Sequence, residues 1–177
     1  MEVLHYADVE TPVGSLRVVS SGRGLVYVEL PNASGRGLAG WMKQNAPGGR
    51  LLEGYAPNRA AAVQLVDYLE GKRQRFDLSL DLRATPFQLA VYDEVARVGF
   101  GETATYAEIA ARIGRPKAVR AVGAANGANP IPLVVPCHRI IASSGRLHGY
   151  AGGLELKARL LALESAERAA PPEGWLL

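Results

Sequence analysis

The sequence predicts a mixed α/β (α+β) chain in two parts: a small antiparallel sheet with a helix over residues 1–82, then a mostly helical part over residues 83–166 with a helix-turn-helix. Three observations carry this. Two runs rich in Val, Leu and Tyr, at 14–20 and 25–30, flank the turn material Ser21-Gly22-Arg23-Gly24 and read as a hairpin. An extended alternating segment at 76–82 marks the boundary. Beyond it, a hydroxyl residue is twice followed three positions later by Gln or Glu ahead of an apolar run, as Thr85-Pro86-Phe87-Gln88 and Thr105-Tyr106-Ala107-Glu108, the pattern of a reciprocally capped helix start.

The elements follow in order. After the hairpin, residues 31–49 are rich in Gly, Asn and Pro and read as loop, with one helical turn near 40–45. Ala62, Val63, Leu65, Val66 and Leu69 have helical spacing, and Gly71 follows as a terminator. Thr85 opens a helix expected to reach about Val98. Thr105 opens a second, with Ile109, Ala110 and Ile113 as its apolar face and Gly114 as its stop. Pro116 suits the start of a third, expected over 116–126, and the short Gly-containing turn between them is the spacing of a helix-turn-helix. That third helix carries Ala118, Ala121, Gly123, Ala124 and Ala125. It leaves Arg120 as its one long side chain, which suits close approach to a groove and argues against reading base edges in sequence-specific fashion. A further helix is expected from Gly153 to Glu164. The tail, 167–177, contains Pro171-Pro172 and reads as disordered.

Composition bounds the function. Nearly half of the 177 residues are apolar, enough for a core without cross-links. No apolar run approaches the roughly 20 residues of a membrane helix, and the first residues lack the order of a secretory signal, so a soluble cytoplasmic protein is expected. One cysteine permits neither an internal disulfide nor a thiolate zinc cluster. The net charge of +3 is small, but no acidic residue stands between Glu108 and Glu155. Arg112, Arg115, Lys117, Arg120, Arg139 and Arg146 fall in that interval, so this part of the fold is expected to attract an anion.

Cys137 lies inside it. Pro136 is placed to start a short helical turn, and a cysteine at a helix N-terminus among basic residues has its thiolate favoured. A short apolar strand is expected just before it, after Asn129-Pro130. His138 adjoins Cys137 in sequence without facing it in regular structure, so a turn or a bridging water would have to connect them. Glu164 is the candidate carboxylate to orient the imidazole.

Pro136-Cys137-His138-Arg139 after an apolar segment, preceded by Asn129-Pro130 and by Arg120-Ala121-Val122-Gly123, resembles the signature of the O6-alkylguanine-DNA alkyltransferases, the methylated-DNA-protein-cysteine methyltransferase family of bacterial type. The resemblance spans residues 85–164, including Tyr106 within Thr-Tyr-Ala-Glu-Ile-Ala and the loop Gly149-Tyr150-Ala151-Gly152-Gly153. It implies a ribonuclease-H-like first domain and a winged-helix-like second one. It implies Cys137 as alkyl acceptor, His138 as its base through water, Glu164 as orienter, Asn129 as brace of the turn, and Tyr106 as donor toward the guanine. Arg120 would fill the stack after nucleotide extrusion, with Ala118, Ala121, Ala125 and Asn126 against the minor groove. Val135, Ser143, Tyr150 and Ala151 would line the pocket.

Two positions depart from the pattern of some members, which have serine at Ala151 and methionine at Asn126. The resemblance further implies double-stranded DNA carrying O6-alkylguanine as partner, read with little sequence specificity by a monomer, and no cofactor or metal. Two rivals come from other classes. A recognition module of the alkyltransferase-like type would lack the cysteine retained here, and a cysteine hydrolase would need an oxyanion hole and would leave the basic interval without a purpose.

Overall fold

The computed structural model describes residues 1–147 and 149–169, with side chains described to Ser165. Its contacts divide after Arg83 into two compact units, each with its own core.

The first unit is a four-stranded sheet in the order β3-β2-β1-β4. Strands β1 (Val3–Thr11), β2 (Gly14–Ser21) and β3 (Gly24–Glu29) form an antiparallel meander. The expected hairpin is its second turn. Strand β4 (Arg50–Glu53) adds in parallel beside β1, so the sheet is antiparallel except at this edge. A parallel neighbour needs a crossover, which the segment holding α1 (Gly37–Asn45) supplies; the single turn expected near 40–45 is thus a full helix. Leu4, Val19 and Val26 on one face pack with Leu38 and Ala46, and with Tyr6, Tyr27, Trp41, Met42 and Leu51 around them. Alternation puts Ala7, Val9, Leu16 and Val18 on the other face, and an irregularity in the β2–β3 register lets Val28, paired with Val18, join them; all are buried. Helix α2 (Arg59–Leu69) contains the run from Ala62 to Leu69 that has helical spacing in the sequence, packs near β1 and buries Ala61, Ala62, Leu65, Tyr68 and Leu69. At Gly24, φ is +150° and an added Cβ would stand 2.3 Å from the Ser79 carbonyl oxygen. Only glycine lets segment 79–81 pair with Leu25 there.

The second unit opens with α3 (Pro86–Ala96), whose Thr85 and Gln88 form the reciprocal cap read from the sequence. Thr105 and Glu108 do the same for α4 (Tyr106–Arg112), and Gly114 follows at φ +75°. Helix α5 runs Val119–Gly127, three residues later than expected. Pro116 instead sits inside a turn closed by the Ala118 N–H donating to the Arg115 carbonyl at 2.9 Å, the second position of a β-turn, where its fixed φ is equally suited. Helices α4 and α5 pack together and against α3, forming the helix pair.

The apolar strand expected before Cys137 does not form. Residues 131–135 fold into a tight turn in which Leu133 has φ +73° and the Val135 N–H donates to the Ile131 carbonyl at 2.9 Å. Pro132 has no N–H for a ladder. Cys137–Arg139 then makes a single 3-10 turn, and β6 (Ile140–Ile141) pairs in parallel with β5 (Ala104–Thr105). This two-residue ladder sets the start of α4, and therefore Tyr106, beside the chain leaving Cys137. Helix α6 (Leu154–Ala169) carries Glu164 and extends into the start of the expected tail, whose residues 170–177 lie outside the described residues. Among the described residues no helix is long and apolar enough to cross a membrane.

Because Thr105 caps the helix whose first residue is Tyr106, Thr105→Ala is expected to lower stability by about 1 kcal/mol, read as a fall in Tm of a few degrees in a thermal melt.

Candidate active site: a buried thiol with a histidine, a carboxylate and two buried cations

Cys137 is buried, at 4 % exposure. Its turn is held from both sides. The Asn129 amide donates to the Val135 carbonyl at 2.8 Å, while its Oδ1 accepts from the Ile131 N–H at 3.0 Å, so one side chain clasps both ends of the turn before Pro136. The Cys137 N–H donates to the Val135 carbonyl at 2.8 Å, and the Asn126 Nδ2 donates to the Cys137 carbonyl at 3.1 Å. A three-residue 3-10 turn offers little dipole, and the thiolate preference expected from a helix N-terminus does not prevail. Burial pushes the thiol up to about 11, against the Asn129 side chain, the Lys157 charge and nearby backbone N–H groups, which pull it down. A nucleophile made here therefore requires a base.

His138 and Glu164 are fully buried, with His138 Nε2 at 2.9 Å from Glu164 Oε2. Burial pushes the imidazole down, and the Glu164 carboxylate opposes that push. The neutral ring thus donates from Nε2 to the carboxylate, and a proton from the thiol can be received only at Nδ1. Arg139 takes the other side of the same carboxylate, Nε to Oε1 at 2.8 Å and a terminal nitrogen to Oε2 at 2.7 Å; its remaining nitrogen donates to the Val98 carbonyl at 2.7 Å. Arg139 is 7 % exposed, so it leaves the outward basic field in which the sequence had placed it. Burial raises the Glu164 carboxyl, but hydrogen bonds from His138 and Arg139 outweigh this and hold it at about 2.

Lys157 completes the site and was not anticipated. It is fully buried and its Nζ donates to the Ile140 carbonyl at 2.6 Å, with the Tyr106 hydroxyl 3.5 Å away. Burial lowers its pKa and the Cys137 thiolate would raise it. A signal existed: Lys157, Leu160 and Glu164 are spaced i, i+3, i+7 on one stripe of α6, a core stripe carrying two charges. Tyr106 is half-buried; burial and the Cys137 charge raise its phenol, while a hydrogen bond with the Asn126 side chain lowers it.

The structure thus brings Cys137, His138, Glu164, Asn129, Asn126 and Tyr106 into one neighbourhood above the buried Val135. Tyr150 and Ala151 are half-buried, and Ser143 stays exposed in a loop closed by the Gly145 N–H on the Ala142 carbonyl. On α5 the outward face is Arg120, Ala121 and Ala124, with Lys117 before it and Ala118 half-exposed. Ala125 and Asn126, expected on that face, are 3 % and 4 % exposed. A helix turning 100° per residue that shows 120, 121 and 124 to solvent must turn 122, 125 and 126 inward, and the Ala125 carbonyl there accepts from the Tyr92 hydroxyl at 2.8 Å. Arg112, Arg115 and Arg146 are exposed. A shallow concavity at the helix turn is lined by Arg115, Pro116, Lys117 and Ala118. Among the described residues no cluster suits a metal ion.

A buried thiol served by a histidine–carboxylate pair, in a unit whose helix pair turns a small, basic face outward, defines a protein that can accept a group from an anionic polymer. Two family models match: the DNA binding domain of 6-O-methylguanine DNA methyltransferase over residues 86–166, and the ribonuclease-like domain of the same over residues 4–82. The chain is 44 % identical over 147 residues to the inducible methylated-DNA–protein-cysteine methyltransferase of Bacillus subtilis, covering 83 % of this chain and 82 % of that one. To the methyltransferase of Methanosarcina barkeri it is 40 % identical, over 91 % and 97 %. Its structure is similar to that of Mycobacterium tuberculosis OGT solved in complex with DNA, with a TM-score of 0.81, 38 % identity and coverage of 95 % and 96 %. The chain belongs to the 6-O-methylguanine DNA methyltransferase family.

The buried cluster sets an acid limit on the fold. Both His138 and Glu164 have folded pKa values below their ordinary 6.5 and 4.5, so the unfolded chain binds protons first. Stability is expected to be full above about pH 6.5, to decline below it, and to fall further between 4.5 and about 2. Thermal melts across this range check it, and Glu164→Gln should weaken the dependence below 4.5, leaving the part that the lowered carboxyls of Glu2, Asp8 and Asp81 contribute, while melting lower throughout.

Proposed function

We propose that this protein repairs DNA directly, moving the alkyl group of an O6-alkylguanine, and of O4-alkylthymine by the same chemistry, onto Cys137 in one irreversible step. The observation that carries this is the lone cysteine, buried beside a histidine hydrogen-bonded to Glu164, in a member of this family. We assign residues 1–82 to a supporting domain and 83–166 to DNA binding and transfer.

The thiol proton passes through water to His138 Nδ1, and Glu164 stabilises the imidazolium. The sulfur attacks the alkyl carbon in line; an S–C bond forms as the C–O6 bond breaks, and the electron pair stays on the guanine oxygen. Tyr106 donates to the departing base, and Lys157 beside it favours the thiolate. The product is a thioether, which neither hydrolysis nor disulfide exchange returns to thiol, so each molecule acts once.

The reacting carbon is hidden in a duplex, so the nucleotide is flipped out. Helix α5 enters the minor groove with Ala118, Ala121 and Ala124 against it, Arg120 fills the gap left in the stack, and exposed Arg and Lys residues meet phosphates. Such contacts are tolerant of sequence. Val135, Tyr150 and Ala151 line the pocket, with Ser143 at its loop edge. No cofactor or metal takes part in these steps. The protein works as a monomer in the cytoplasm, or wherever the genome lies.

Intact mass after incubation with duplex DNA containing O6-methylguanine tests the reading. One methyl group per protein, absent in Cys137→Ala, is expected; DNA binding with no adduct would make the protein a recognition module. The methylated product should melt lower by about 1–3 kcal/mol in stability, because an added carbon overpacks a buried site.

A further inference from the structure

We propose that Asn126 is a positioning residue for the transfer reaction, not a DNA contact: its buried amide holds the Tyr106 phenol and the Cys137 main chain together beneath the DNA-facing helix. The inference rests on the function proposed above and assigns that site a further part.

Three observations place it. Asn126 is 4 % exposed, on the side of α5 opposite Arg120, Ala121 and Ala124, so it cannot touch a duplex lying on the outward face. Its Nδ2 donates to the Cys137 carbonyl at 3.1 Å. The same side chain lowers the Tyr106 phenol as a hydrogen-bond donor does, and because Asn126 Oδ1 has no hydrogen-bond partner among the described residues, the amide nitrogen is the group that acts on it. The packing agrees. A Cβ added at Gly123, one turn earlier on α5, would stand 3.9 Å from Tyr106 Cδ1, so positions 123 and 126 form the stripe of α5 that lies over the tyrosine ring.

The arrangement acts on the phenol oxygen. It faces the Asn126 amide from α5 and the Lys157 ammonium, 3.5 Å away, from α6. Both are donors, so at these two contacts the phenol oxygen is the acceptor, which eases charge onto it as its proton is given to a leaving guanine. At the same time Asn126 fixes the carbonyl of the residue that carries the nucleophile. One amide therefore registers the proton donor against the attacking sulfur, and it sits on the helix that contacts DNA. An apolar side chain of equal volume would fill the space and supply neither donor.

The test is single-turnover methyl transfer by the full-length protein from O6-methylguanine duplex, measured over a range of duplex concentrations for wild type, Asn126→Ala and Asn126→Leu, each with and without Tyr106→Phe. The expected result is a maximal rate lower by about tenfold, the size of one lost hydrogen bond, with the half-saturating duplex concentration within about twofold of wild type. In the Tyr106→Phe background most of that loss should vanish, since the two residues act as a unit. A weakened duplex affinity with an unchanged maximal rate would make Asn126 a DNA contact. A loss of the same size with and without Tyr106 would reduce it to a packing residue. Either result overturns the proposal, as does a wild-type rate in Asn126→Leu, which preserves volume and carries the test if Asn126→Ala does not fold. A wild type that takes up no methyl group instead sinks the function on which the inference rests.

Discussion

The second unit is organised around one buried carboxylate. A charged group taken out of water is costly unless its oxygens are matched by donors, and Glu164 receives three: one from His138 and two from Arg139. Those two partners are consecutive residues of the turn that carries Cys137, and Arg139 reaches on to the Val98 carbonyl just beyond α3. A single ion cluster thus fastens α6, the nucleophile's turn and the end of α3. Losing Arg139 would leave the buried carboxylate without its countercharge, a defect of several kcal/mol, and losing His138 would strip one of its hydrogen bonds, so the geometry around the sulfur is enforced by the same energy that holds the fold.

That constraint also shapes the chemistry. With Nε2 of His138 held by Glu164, the ring's orientation and tautomer are set before any substrate arrives. Burial disfavours the thiolate, while Lys157, the Asn129 side chain and backbone N–H groups favour it. The site is therefore poised between a stable resting thiol and a nucleophile that needs one proton removed. The turn before Cys137 shows the cost of this placement, with Leu133 held at positive φ by Asn129 and the Ile131–Val135 hydrogen bond. Strain of this kind persists only where the surroundings over-determine it.

Much of this was legible in the chain. The two Thr caps were read from their spacing and both formed, because capping is a local chemistry that tertiary contacts seldom override. The hairpin and α2 likewise declared themselves by period. The Cys137, His138 and Glu164 set came from sequence, with the resemblance assigning the roles. What escaped depended on distant partners. Strand β4 is four residues long and exists because β1 offers it an edge. Pro116 fits a turn as well as a helix start, and only the Arg115–Ala118 hydrogen bond decides between them. The resemblance alone set Ala125 and Asn126 against the groove, and which face of α5 is buried depends on the helices packed against it. Arg139 reads as a surface charge of the basic interval and Lys157 drew no reading, whereas the structure uses each to satisfy a buried acceptor.

The central claim is that Glu164 acts on Cys137 through His138. The most direct measurement is the single-turnover rate of alkyl transfer to Cys137 as a function of pH in Glu164→Gln, beside duplex affinity in the same protein. The account predicts unchanged affinity, a rate lower by about a hundredfold or more at neutral pH, and partial recovery as pH rises and hydroxide takes the proton that the weakened His138 no longer removes. A variant that folds, binds duplex and transfers at the wild-type rate across that range would contradict it.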